Sequence, residues 1–256
     1  MIIFVTKIML HDYGRKIINA IFKKWTDSTG ICVELGTKVQ ADSDRSDIRV
    51  FEIGLPPEQH GDYEQSTGIA AQESESTRII AIAKDKGLFI DKTKWNDFGD
   101  CKRMPSGESI VYLDDREEVV TKIRNPFAKS IVKALHATDA IYEHLIHNIL
   151  FPNIRYKFVG ISEDSGCVRI ILQQKYLSDK FVAPPQKTID AYLMQGLGLH
   201  IENRYYYAND YIAITDVSVN GDNVLSDGRQ LYFIDPIIKF KQPAPIVLDH
   251  YYKIIK

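Results

Sequence analysis

The chain has 256 residues, of which 45% are hydrophobic and 26% charged, and its formal net charge is −2. That is apolar material for one large or two small globular domains, without the concentrated basic excess of a nucleic-acid binder. Three cysteines, Cys32, Cys101 and Cys167, stand far apart in no disulfide or metal-ligand spacing, so a reducing, cytoplasmic setting without a structural metal is expected.

The first ten residues, MIIFVTKIML, are apolar but broken by Lys7. A signal peptide carries its basic residues first and an uninterrupted apolar core after them. No run reaches the roughly 18 apolar residues that a membrane span needs, so no membrane is expected. Residues 13–25, YGRKIINAIFKKW, have helical apolar spacing, and ICVELGTKV after them alternates as a strand. Residues 1–53 therefore read as an α/β segment of unknown role, a place where a protein partner could dock. Residues 54–74 are polar and punctuated by Pro and Gly, the composition of a linker. A second domain, residues 75–256, follows.

That domain opens with a helix in STRIIAIAKDKG, capped at Ser76 or Thr77 and closed by Gly87. A hairpin comes next, with strands Ser109 to Leu113 and Glu118 to Ile123 around Asp114-Asp115-Arg116-Glu117. A helix spans roughly Thr138 to Leu150. YKFVGI and CVRIILQQKYL form a further strand pair, and Pro184-Pro185 precede a helix over Lys187 to Gln195. YIAITDV and LYFIDPIIKF are apolar runs around an Asn- and Gly-rich loop.

Several polar residues occupy chemically suggestive places in this order. Lys122 ends the apolar run Val119-Val120-Thr121 on a strand. Glu143 lies in the helix 21 residues later, Asp235 follows Leu231-Tyr232-Phe233-Ile234, and Asp216 and Asn223 flank a turn. Each has a plainer reading: a strand lysine can be a solvated one, and Asp and Asn populate turns because turns need them. His144 and His147, three apart on a helix with no third ligand suggested, read as structural or surface histidines.

Taken together, the order and spacing resemble the protein-kinase-like superfamily, in particular the minimal kinase-like domains of bacterial mobile-element polyvalent proteins, over about Glu75 to Phe240. The resemblance implies an α+β, two-lobed minimal kinase fold: an antiparallel N-lobe sheet with a helix, a reduced C-lobe, and an extra N-terminal segment. It implies ATP and Mg²⁺ as cofactors and a phosphate acceptor of unknown identity. Lys122 would meet the α- and β-phosphates and pair with Glu143. Asp235, at the place of the D-F-G aspartate, would hold Mg²⁺ with Asn223, and Asp216 would take the acceptor hydroxyl's proton or orient it. Pro236-Ile237 replaces Phe-Gly, and proline fixes φ, against the in/out flip of ordinary kinases. The Asp216-to-Asn223 separation is 7, where the kinase motif has 5. Gly107 and Ser109 would stand in the phosphate-covering loop, and Gln174 and Tyr176 at the adenine-reading hinge. Only 21 residues follow Asp235, so no activation segment or peptide-substrate platform is expected. Two functions stay open: an ATP- and Mg²⁺-dependent phosphotransferase, or a catalytically inactive module that binds nucleotide or a protein partner.

Overall fold

The computed structural model describes residues 69–103, 108–128, 137–178, 180–218 and 223–254. The N-terminal helix and strand expected within residues 1–53, most of the linker, and Gly107 lie outside the described residues.

Two larger antiparallel sheets, a two-stranded hairpin and four α-helices, one of them central, make up the described part, which bears out the α+β expectation. Helix α1 spans Ile69–Asp85, and strands β1 (Asp100–Arg103), β2 (Ser109–Asp114) and β3 (Val119–Arg124) follow it. Helix α2 (Ala137–Leu150) precedes β4 (Lys157–Asp164) and β5 (Cys167–Lys175). These five strands form one sheet in the order β1-β2-β3-β5-β4. Its two faces follow from period-2 alternation. Ile123 and Ile171 face Trp95 and Tyr112 in a small outer core. Lys122 and its cross-strand neighbour Leu172 face the other way, toward α2.

Trp95 is carried on a 3₁₀ turn, Lys92–Phe98, whose entry is capped by the Asp91 side chain. Gly160 marks a bulge in β4, where Leu88 lies alongside. A Cβ there would come within 2.5 Å of the Leu88 carbonyl oxygen, so only glycine lets the two backbones meet.

Beyond β5, helix α3 (Gln186–Ala191) runs into one π turn, Tyr192–Gly196. The second sheet holds β6 (His200–Asn203), β7 (Tyr206–Ala208), β8 (Ile212–Thr215) and β11 (Ile237–Phe240), in the order β11-β8-β7-β6. The hairpin β9 (Val224–Ser226) with β10 (Leu231–Phe233) stands between β8 and β11, and α4 (Ala244–Ile254) closes the described chain. Tyr207, Ile212, Ile214 and Ile238 turn inward and join α1, α2 and β5 in the main core. Helix α2 is buried almost all round, including His144, His147 and Asn148. It is the post on which both sheets hang.

The first helix begins at Ile69, seven residues before the expected cap. Ser76 and Thr77 are therefore interior: the Thr77 hydroxyl donates to the Glu73 carbonyl, and Ser76 Oγ accepts from the Val168 amide. Among the described residues no helix is long and apolar enough to cross a membrane.

Candidate functional site

A cleft of about 680 Å³ opens between the two sheets beside α2, within the ~300–1,000 Å³ of small-ligand sites. The first sheet lines it with Ser109, Lys122, Arg124 and Leu172, and α2 with Glu143, His144 and His147. Asp216, Asp235 and the outward face of the second sheet (Tyr206, Thr215, Ile237 and Lys239) complete it.

Lys122 crosses this cleft to Asp235, with Nζ 3.1 Å from Oδ1. Lys122 is nearly buried, 12% exposed, while Asp235, deep in the concavity, still shows 60% of its side chain to solvent. Seclusion works to raise the Asp235 carboxyl, but the Lys122 ammonium outweighs it, helped by Arg124 and the Tyr156 hydroxyl, and holds it below the usual carboxylate value. The carboxylate is ionised at neutral pH.

The expected Lys122–Glu143 ion pair does not form. Glu143 binds Arg124 at 2.7 Å and accepts from the Ile238 amide at 3.1 Å. Arg124, two residues beyond Lys122, lies on the same strand face, and its flat guanidinium reaches the helix carboxylate. Lys122 is fixed instead by Asp235 and by the Tyr156 hydroxyl, 3.2 Å away. Tyr156 also bonds to the Ile234 carbonyl and to Asp235 Oδ1.

The segment carrying Asp235 is thus clamped from three directions. His147 Nε2 donates to the Phe233 carbonyl at 2.8 Å, Tyr156 holds Ile234, and Glu143 holds Ile238. His144 Nδ1 meets the Ile141 carbonyl within its own helix. Both histidine side chains are buried, and each contacts a main-chain carbonyl.

Asp216 and Asn223 are brought together despite their longer spacing. Asn223 Nδ2 donates to Asp216 Oδ2 at 2.7 Å and to its carbonyl oxygen at 3.1 Å. Asp216 takes a left-handed conformation, φ 60°, which is costly without glycine and concentrates at functional sites. Asn223 also anchors the return strand, because the Ile234 amide donates to its carbonyl at 2.8 Å. The β9–β10 hairpin therefore sets Asn223 and Asp235 side by side at its two ends.

Gln174 and Tyr176 do not line the cleft. The Gln174 side chain is buried and donates to the Ile154 carbonyl. The Tyr176 amide is spent on the Glu118 carbonyl at 2.7 Å, so it is not presented to a base. Arg124, Tyr156 and Glu108 are among the cleft residues that carried no expectation. Arg124 alone had a sequence signal, its period-2 relation to Lys122. Burial raises the Glu108 carboxyl, and nearby Arg124 only partly offsets this.

Among the described residues no group of three or more His, Cys, Asp or Glu side chains forms a metal cage. Asp235 and Asp216 bring hard oxygen donors to one cleft, and Asn223, hydrogen-bonded to Asp216, carries an amide oxygen beside them. Mg²⁺ is commonly held by one or two carboxylates plus substrate phosphates, without an all-protein cage, and the donor set fits that habit.

A strand lysine facing an aspartate that ends a hairpin, with an Asp–Asn pair at the other end and a helix behind, defines a kinase-like domain. A family model described as Serine/Threonine/Tyrosine Kinase found in polyvalent proteins matches residues 72–242. The chain belongs to that family. Comparison with curated proteins and with solved structures finds no match.

Proposed function

We propose that the domain is an ATP- and Mg²⁺-dependent phosphotransferase acting on a hydroxyl acceptor. The observation that carries this reading is the Lys122–Asp235 pair at 3.1 Å across one cleft, beside the Asp216–Asn223 pair. Lys122 would bind phosphate oxygens, and Asp235 and Asn223 would hold Mg²⁺, which when bound neutralises charge on the β- and γ-phosphates. The acceptor oxygen attacks the γ-phosphorus, and the bond to the β-phosphate oxygen breaks with its electron pair leaving on ADP. The acceptor's hydroxyl proton passes to Asp216. The metal-side geometry also supports the reading, because three side chains fix the flanks of Asp235 before any ligand arrives.

A second reading, an inactive nucleotide- or partner-binding module, is favoured by one observation: Glu143 is engaged by Arg124 and the Ile238 amide, not by Lys122.

Calorimetric titration of ATP with and without Mg²⁺ tests the site. Mg²⁺-dependent binding is expected in the wild type. Lys122→Ala and Asp235→Ala should each weaken it by about a hundredfold, the scale of losing a charge-assisted contact to phosphate or metal, while circular dichroism stays unchanged. Equal affinity in both variants would remove the site assignment. Binding without turnover, measured as ADP release over a panel of hydroxyl acceptors, would favour the second reading.

A further inference from the structure

The cleft has a second cationic wall that the phosphate-transfer residues leave unused. Lys122 and Arg124 each face a carboxylate. Arg204 and Lys239 line the same cleft but, among the described residues, neither forms an ion pair with one. Arg204 Nη2 donates to the Tyr205 hydroxyl at 3.0 Å, and its guanidinium lies 4.9 Å from that ring's centroid. Lys239 Nζ stands 5.9 Å from the Tyr206 centroid. Tyrosine faces steady a cation without cancelling its charge.

We propose that Arg204 and Lys239 form the acceptor subsite, and that the acceptor is a small hydroxyl compound carrying a phosphomonoester group. This rests on the phosphotransferase reading above. Arg204 sits on the turn between β6 and β7, beside Tyr205 at φ 61°. A non-glycine residue in that region is held at a cost by its surroundings, here at the rim of the cleft that also holds Asp216. Lys239 projects from β11, four residues past Asp235, on the outward face of the second sheet. Two cations without acidic partners draw an anion into a concave site, and the guanidinium fork matches a phosphate dianion. A small acceptor suits the geometry better than a peptide. The cavity is about 680 Å³, and β11 starts two residues after Asp235, so no loop intervenes there to lay out an extended chain. The acceptor's own phosphate would stay on Arg204 and Lys239, chemically unchanged, while its hydroxyl oxygen attacks the γ-phosphorus and yields its proton to Asp216.

The test uses the full chain saturated with Mg²⁺ and a non-hydrolysable ATP analogue, with inorganic phosphate as the probe, followed by phosphorus NMR line broadening. Phosphate should bind the loaded wild type. Arg204→Ala with Lys239→Ala should weaken it at least about tenfold, the scale of losing charge-assisted hydrogen bonds, while nucleotide affinity stays within about twofold. Arg204→Lys with Lys239→Arg, which keeps both charges, should retain most of the affinity. No phosphate binding to the loaded wild type, or equal binding in the double-alanine variant, overturns the subsite. A tetraglutamate peptide that binds tighter than phosphate through the same two residues overturns the small-acceptor assignment in favour of an acidic peptide. If the nucleotide analogue itself fails to bind, the phosphotransferase reading fails and the subsite falls with it. If nucleotide binds and phosphate does not, the subsite alone falls.

Discussion

The hydroxyl of Tyr156 has one proton and three neighbours: the Lys122 ammonium, the Ile234 carbonyl and the Asp235 carboxylate. Lysine must donate to it, so the single proton is shared between the other two. Burial, and then the charge of Asp235, pushes its pKa well above the ordinary tyrosine value, which keeps the oxygen neutral and able to do both jobs. The ring itself is packed on His147 and His144, with centroids 4.6 and 5.5 Å away. Tyr156→Phe keeps that packing and deletes only the oxygen. Mg-ATP affinity should then fall about tenfold, because Lys122 loses a restraint and the Ile234 carbonyl loses its donor, each worth about 1 kcal/mol. Titration calorimetry checks this, with a thermal melt alongside. A lowered melting temperature at unchanged affinity would confine Tyr156 to the fold. Nothing in the sequence pointed to this residue. It lies 34 positions from Lys122, and pairing at that range leaves no periodic trace. Lys122, Asp216 and Asp235 were legible because strand ends and turns mark themselves locally. The partner of Glu143 was not, since two cations two residues apart on one strand compete for it and only the packed geometry decides.

Helix α2 depends on an element that the sequence disguised. The polar run before Ser76 looked like linker because it has few large apolar residues, yet Ala, Gln and Glu are strong helix formers, and α1 starts at Ile69. What stabilises it is tertiary contact. The Glu75 carboxylate, 2% exposed, accepts from the backbone amides of Ala137 and Thr138 at 3.0 and 3.1 Å and from the Thr138 hydroxyl. A carboxylate there satisfies amides orphaned at the α2 N-terminus and faces the positive end of its dipole. Periodicity could find both helices, but it could not find a cap donated from 62 residues away. Glu75→Ala should destabilise the domain by about 1–2 kcal/mol, the usual scale of a lost cap, and should speed hydrogen exchange in the first turn of α2. Glu75→Gln, which keeps one acceptor, should lose less. Equal exchange in the alanine variant would mean that α2 is held by its core face alone.

Across the molecule, both sheets depend on a helix with two buried neutral histidines at its centre. Burial is the largest influence on each. It drives His147 down to about 4 and His144 well below its ordinary 6.5. Lys122 acts in the same direction on His147, and Arg124 on His144. Asp235 opposes both shifts, and the hydrogen bonds to Phe233 and Ile141 oppose them too. The sign follows from linkage. Between pH 6.5 and about 4 the unfolded chain binds protons that the native helix refuses, so stability is full above the unfolded value and is lost as pH falls through this window. For His147 alone the loss approaches about 3 kcal/mol by pH 4. Asp235 adds nothing to this window, because its carboxyl is held below 3.8 and titrates later. The consequence reaches function as well as folding. Protonating His147 in the folded protein would disturb the helix that holds Phe233, and with it the flank of Asp235, so Mg-ATP binding should hold through this window and weaken only as pH approaches about 4. Urea unfolding at pH 7 and pH 5 measures the first effect. His147→Gln, whose amide can still donate to the Phe233 carbonyl, should be less stable at pH 7 but show a shallower loss on acidification. An unchanged slope in that variant would assign the acid sensitivity to other groups, with His144 the next to replace.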